Sequence, residues 1–296
     1  MSSVADVVCC ANCGVAEVDE IKLEDCDGCD LVKYCSDNCK EEHREQHIGE
    51  CRKRAQQLHD NDLFTQPDIS YLGECPLCFL TMPLDPQKSA FHSCCSKSIC
   101  DGCNYADIKS NGGKSCPFCR EPTATDEEDI EKKIMIRVKA KDPAAIREMG
   151  TTRYYEGDYD AAVEYFTKAA ELGDPEAHYW LGYMYGKGDG LEKDMEKKVY
   201  HWEKAAIGGH PEARHSLARI DERYGNFERA VEHFIIAANI GFEMSMKALW
   251  AHYSLGNITK DDLEATLRTH KAAIDEMKSK ERDAADAFLR QYAASR

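Results

Sequence analysis

From Ile130 onward the apolar positions keep helical time. Ile130, Ile134 and Val138 recur every four residues and predict a helix with one apolar stripe, which Asp142 and Pro143 end. From Ala144 the pattern repeats. Ala169-Ala170, Ala205-Ala206 and Ala237-Ala238 each precede a glycine three positions on, at Gly173, Gly209 and Gly241. The register steps are 32 residues from Ala145 to Ala177, 36 from Ala177 to Ala213 and 32 from Ala213 to Ser245. The extra four residues fit a glycine-rich turn at GKGDGLEKD, residues 186–194. Such periods without strand patterning predict paired helices stacked as a solenoid over residues 144–253. Small residues let the helices of a pair approach closely. Tyr155, Tyr159, Phe166, Tyr185, Trp202, Tyr224, Phe227 and Phe234 are expected as core between them. Thr259 with Asp262 reads as a helix N-cap, and Leu263, Leu267, Ile274 and Met277 form a stripe. Residues 254–296 are therefore expected to be capping helices.

Cysteine usage changes the picture upstream. All sixteen cysteines lie between Cys9 and Cys119. A stretch this short and cysteine-dense cannot bury enough apolar surface to fold unaided. The N-terminal MSSVADVVCCANCG has neither a basic start nor an apolar run of signal-peptide length, and no apolar run approaches the ~20 residues that span a bilayer. A cytoplasmic or nuclear, reducing setting is expected, where thiols stay free. CxxC pairs at Cys10/Cys13, Cys26/Cys29, Cys75/Cys78, Cys100/Cys103 and Cys116/Cys119 then favour metal over disulfides. Two clusters result, 10–51 and 75–120. Between them residues 52–74 begin polar, with Arg52, Lys53, Arg54, Gln56 and Gln57 suggesting a short helix, and loosen into a linker around Pro67. Residues 121–143 comprise an acidic linker and the helix described above.

The first cluster offers Cys10, Cys13, Cys26, Cys29, Cys35, Cys39, His47 and Cys51, eight ligands that suit two tetrahedral Zn²⁺ sites. With YCSDNC followed by His47 and Cys51, it resembles a MYND finger. The resemblance implies interleaved pairs: Cys10, Cys13, Cys35 and Cys39 on one zinc, Cys26, Cys29, His47 and Cys51 on the other, with Cys9 spare. A register with Cys9 in place of Cys10 gives poorer spacing. MYND fingers bind proline-containing peptides. This copy has Lys40 and Arg44 where the family usually has Gln and Trp, which removes a flat apolar wall from the peptide groove.

The second cluster holds three CxxC pairs, and HSCCSKSIC (residues 92–100) must supply the fourth. Residues 75–120 resemble the all-cysteine variants of the RING finger. Where the usual RING has a histidine three residues before the fifth ligand, this chain has Lys97, which cannot ligate while protonated. The adjacent pair Cys94 and Cys95 is favoured, with His92 plus one of them as the alternative. The resemblance implies Cys75, Cys78, Cys100 and Cys103 on one zinc and Cys94, Cys95, Cys116 and Cys119 on the other, about four zinc ions per chain in all. It also implies docking of a ubiquitin-conjugating enzyme and its ubiquitin. Leu77 would be the apolar contact, Pro117 would shape the second zinc loop, and Arg120 would be the linchpin bonding enzyme and ubiquitin together. Tyr105 stands for the aromatic contact after the sixth ligand.

The repeats, clearest in LGYMYGKGDGLEKDMEKKVYHWEKAAIGGHPEA (residues 181–213), resemble Sel-one-like repeats, relatives of the tetratricopeptide repeat. These imply a scaffold for protein partners. The expected architecture is small zinc-stabilised N-terminal modules followed by an all-α solenoid. Two functions follow from the resemblances: a RING-type ubiquitin ligase, or a non-enzymatic adaptor with purely structural fingers. The net charge of −16 argues against a general affinity for nucleic acid. The basic residues Lys132, Lys133, Arg137, Lys139 and Lys141 read as a solvated helical face among acids. GKGDG follows no strand, so it is not a phosphate-cradling loop.

Overall fold

The computed structural model describes residues 9–294 apart from Ala16 and residues 18–21. The first eight residues, on which the expectation about a leader partly rests, lie outside the described residues. The chain forms two compact units, residues 1–65 and 66–296.

The first unit has almost no oily interior. Its core is Cys10, Leu23, Tyr34 and Cys39, with Ala11, Val32, Cys26 and Cys35 against them. A two-residue ladder joins β1 (Glu24–Asp25) to β2 (Lys33–Tyr34). Helix α1 (Asp37–Phe64) follows, opened by Ser36, whose hydroxyl accepts from the Cys39 amide. The short helix expected after Arg52 is thus the end of a 28-residue helix that already carries Cys39, His47 and Cys51. Arg54 forks onto the Asp30 carboxylate at 2.5 and 2.6 Å, so the finger reaches past residue 51 into what the sequence suggested was linker.

In the second unit residues 66–73 form no loose linker but a strap on the repeats. The Tyr71 amide donates to the Gly209 carbonyl, and its ring stacks on His210 at 4.6 Å. The Gln66 side chain donates to the Ile236 carbonyl and accepts from Asn239. The second finger then pairs β3 (Ser89–His92) antiparallel with β4 (Lys97–Cys100), the register running from Ser89 opposite Cys100 to His92 opposite Lys97. Helix α2 (Asp101–Asn111) follows and ends at Gly112 in the left-handed region. Cys75, Met82, Ile99 and Cys100 form this finger's small core.

Helix α3 (Glu127–Lys139) starts at the N-cap Asp126, with acids in its first turn and bases in its last. The repeats are α4 (Pro143–Glu156), α5 (Tyr159–Glu171), α6 (Pro175–Lys187), α7 (Met195–Ile207), α8 (Pro211–Arg223), α9 (Phe227–Asn239) and α10 (Glu243–Ser254). The recurring dipeptides Asp142-Pro143, Asp174-Pro175 and His210-Pro211 are helix starts: the first residue caps, and proline takes N1. Ala145, Ala177, Ala213 and Ser245 are all fully buried, as are Ala169, Ala205 and Ala237. The small-residue register therefore marks the seams between helices. At Gly182 an added Cβ would lie 2.4 Å from the Trp202 ring, so α6 and α7 are as close as a glycine permits.

Phe166, Trp202 and Phe234 are core as expected, but Tyr155 and Tyr224 are exposed and Tyr159 and Phe227 partly so. These four stand beside the turns that join the helices of a pair, outside the seam. Helix α11 (Lys260–Glu276) caps the repeats against α9 and α10. Helix α12 (Lys280–Ala294) does not cap them and packs on α2 of the second finger. At the other end, Phe91 packs on Ile134, Ala145 and Met149 of α3 and α4.

Candidate metal centres

Local backbone geometry prepares the thiols. After three of the expected cysteine pairs the chain turns tightly and enters the left-handed region: Gly14 (φ 74°), Phe79 (φ 58°) and Arg120 (φ 62°) donate their amides to the carbonyls of Cys10, Cys75 and Cys116 at 2.8–3.0 Å. A fourth such turn ends at Ser96 (φ 54°), whose amide reaches the His92 carbonyl at 2.9 Å. Residues other than glycine rarely take this conformation, and sequence reading missed the fourth turn. Amides point at sulfur both from within a turn and from the end of β4. The Cys100 amide lies 3.5 Å from Cys75 Sγ, and the Phe118 amide 3.5 Å from Cys116 Sγ. Burial alone would raise the Cys75 thiol, yet the amides of Cys100, Cys78 and Leu77 bring it down to about 7. Burial is likewise outweighed at Cys10, which the amides of Cys13, Cys35 and Asn12 bring to about 6. Thiolate is the ligating form; in the same groups hydrogen bonds with Cys13 and Cys39 push Cys35 up to about 12 and burial raises Cys103, so a cation among the sulfurs is what would let all four ionise.

The side chains gather in four groups: Cys10, Cys13, Cys35 and Cys39; Cys26, Cys29, His47 and Cys51; Cys75, Cys78, Cys100 and Cys103; and Cys94, Cys95, Cys116 and Cys119. Within each group the donor atoms lie within 4.8 Å of one another. The sulfur contacts run from 3.3 Å for Cys94–Cys119 through Cys13–Cys35 at 3.5 Å, Cys26–Cys51 and Cys95–Cys116 at 3.7 Å, to Cys75–Cys103 and Cys78–Cys100 at 3.8 Å. Bonds of ~2.3 Å to a tetrahedral Zn²⁺ would set sulfurs about 3.8 Å apart, so the donor sets fit that ion. His47 turns Nε2 to Cys29 Sγ at 3.2 Å and stacks on His43, whose Nδ1 meets the Tyr34 hydroxyl at 3.0 Å. His47 and Cys51, four apart on α1, share one face.

In each finger the groups interleave along the chain. The grouping uses both Cys94 and Cys95. His92 stands outside it, with Nε2 buried and without a hydrogen-bond partner. Of the docking candidates, Leu77 is 38% exposed, Arg120 is exposed and Pro117 half-buried. Tyr105 does not stand free as its proposed role requires: it is half-buried, 5.1 Å from the Phe288 ring of α12. Sequence reading had no signal for Arg282, buried against the third group from the far end of the chain.

These features define a zinc-finger protein built on a helical-repeat scaffold. Family models assign the parts: a MYND finger over residues 10–51 and Sel1 repeats over 143–174, 175–210 and 221–242. Among solved structures, the Sel1 repeat protein from Oxalobacter formigenes is 27% identical, with 52% of this chain and 66% of that one covered and a TM-score of 0.45. The protective antigen c5321 of uropathogenic Escherichia coli strains, which displays an SLR fold, is 20% identical, with 63% and 38% covered and a TM-score of 0.41. The chain thus spans less than two thirds of either. No curated protein matches it. It is a zinc-binding protein of the protein-interaction kind.

Proposed function

We propose that the sixteen grouped residues hold four zinc ions and that the second finger is a RING-type docking surface. A ubiquitin-conjugating enzyme would be seated there while the repeats hold a protein substrate, in a reducing compartment such as cytosol or nucleus. Such a ligase makes and breaks no bond itself. It holds the charged ubiquitin in a reactive pose, which is catalysis by positioning. The observation that carries the reading is the interleaved pairing of residues 75–119 with Leu77 and Arg120 exposed on the two metal loops. The guanidinium of Arg120 offers a planar fork of donors that can bridge two partners at once.

The test combines the full chain with ubiquitin, activating enzyme and a panel of conjugating enzymes. Chains formed by the wild type and reduced at least ~10-fold by both Leu77→Ala and Arg120→Ala support the ligase, since losing the charge-assisted hydrogen bond of Arg120 costs about 1.5–3 kcal/mol and losing a buried leucine contact a similar amount. An absence of chains with every conjugating enzyme refutes it. A non-enzymatic adaptor is the second reading, favoured by one observation: Tyr105 is engaged with Phe288 and not offered to a partner.

A further inference from the structure

Arg282 and Cys78 are 204 residues apart in sequence, yet their side chains meet. Arg282, on the first turn of α12, is 7% exposed. One terminal nitrogen donates to the Thr81 carbonyl at 2.7 Å and to the Met277 carbonyl at 2.6 Å. The other lies 3.7 Å from Cys78 Sγ and 3.4 Å from the Leu80 carbonyl. The backbone of α12 is equally close: at Gly102, between Cys100 and Cys103, an added Cβ would stand 2.7 Å from the Arg282 amide nitrogen. Farther along the helix Lys88 pairs with Asp286 at 2.8 Å, Ala285 is fully buried and Phe288 meets Tyr105.

We infer that α12, through Arg282, is an outer part of the metal site at Cys75, Cys78, Cys100 and Cys103, so that metal retention there and docking of the C-terminal helix are one equilibrium. The inference rests on the zinc reading above. Four thiolates around one divalent cation leave a formal charge of −2, and burying that charge is costly unless it is compensated. The Arg282 guanidinium supplies half of the compensating charge. Its planar fork lets one group bond sulfur and the carbonyls of the loop that carries the sulfur. Partners of this kind, one bond beyond the ligands, tune how firmly metal is held. Coupling runs both ways: without metal the loop at residues 75–81 loses its anchor, and with it the seat for α12.

The experiment uses the full chain and three variants, Arg282→Met, Arg282→Lys and Gly102→Ala. Zinc is counted by native mass spectrometry, its transfer to a chromophoric chelator is timed, and hydrogen exchange is followed over residues 280–291. In Arg282→Met one zinc should transfer ~10-fold faster or more while the other three keep their rates, the range expected for losing a partner of a metal ligand. Purification with three zinc ions would support the inference equally. Arg282→Lys should recover part of the difference, because an ammonium restores charge but not the fork. Gly102→Ala, which keeps Arg282 but displaces the helix, should match Arg282→Met. Withdrawal of that one zinc from the wild type should strip exchange protection from α12. Unchanged transfer in Arg282→Met, or acceleration spread evenly over all four ions, overturns the inference. A wild type carrying no zinc would instead sink the zinc reading, a separate outcome of the same count.

Discussion

At Ser96 the backbone sits at φ 54°, and its amide closes a turn that begins at His92. In three other turns of this form the first residue is a grouped cysteine. Here it is a histidine, and the grouped residue has moved two places on to Cys94. Spacing alone left both options open because it records separation and not which way a side chain leaves the turn. Metal content decides between them. Cys94→Ser should carry one zinc fewer than the wild type, whereas His92→Ala should keep the full count. The reverse result, by elemental analysis of folded protein, would make His92 the ligand. The five CxxC pairs were legible in sequence, since each sets two donors on one turn, whereas the placing of Cys35, Cys39, His47 and Cys51 came from the MYND resemblance. Arg282 was not legible, because nothing local distinguishes it from any other helical arginine.

At the scale of elements, the repeats were readable because each seam demands alanine or glycine at a fixed period, and the seam residues are indeed buried. The extent of α1 was not. Only Cys39, His47 and Leu63 along its 28 residues are buried, so no apolar stripe announces where it starts or stops. The repeats also bury histidines. Burial lowers His201 to about 4, helped by His178 and Lys197, and lowers His210 to about 3, helped by Arg147. His233 falls to about 3 through burial, with Arg214 and Arg229 adding to it, and burial lowers His178 and His215 as well. The unfolded chain takes up these protons near pH 6.5 and the folded chain does not. Stability should therefore be level above about pH 6.5 and fall below it, by about 1.4 kcal/mol per pH unit for each histidine held neutral. Glu148, Glu212 and Asp221 are raised, first of all by burial, and act in the opposite sense toward the carboxylate range. The loss should consequently be steepest about one unit below pH 6.5, before the carboxylates offset it. Denaturant midpoints between pH 5 and 8 check this; a midpoint that rises on acidification would contradict it.

For the whole molecule, two stabilising strategies share one chain. Repeats α4–α11 hold themselves by apolar seams, whereas the fingers have cores of a few residues each. Structural zinc contributes an apparent ~10–16 kcal/mol in small fingers, as much as an entire domain's ~5–15 kcal/mol. Stripping metal should thus unfold residues 9–64 and 75–120 and free α12, while α4–α11 keep their helical signal. Circular dichroism with hydrogen exchange before and after chelation reads this out, and collapse of the repeats together with the fingers would refute the division.

The second finger, meanwhile, holds α3 and α4 through Phe91 and α12 through Arg282, while the strap at residues 66–73 grips the turn before α8 and the last turn of α9. The unit is closed on itself. A single peptide bond cut beside the exposed Lys193, in the turn between α6 and α7, would leave two fragments still clasped at several places. They should travel as one species through a sizing column, and separate only when denaturant opens both the clasp and the seam between α6 and α7. Covalent continuity through the middle of the solenoid is, for this molecule, dispensable.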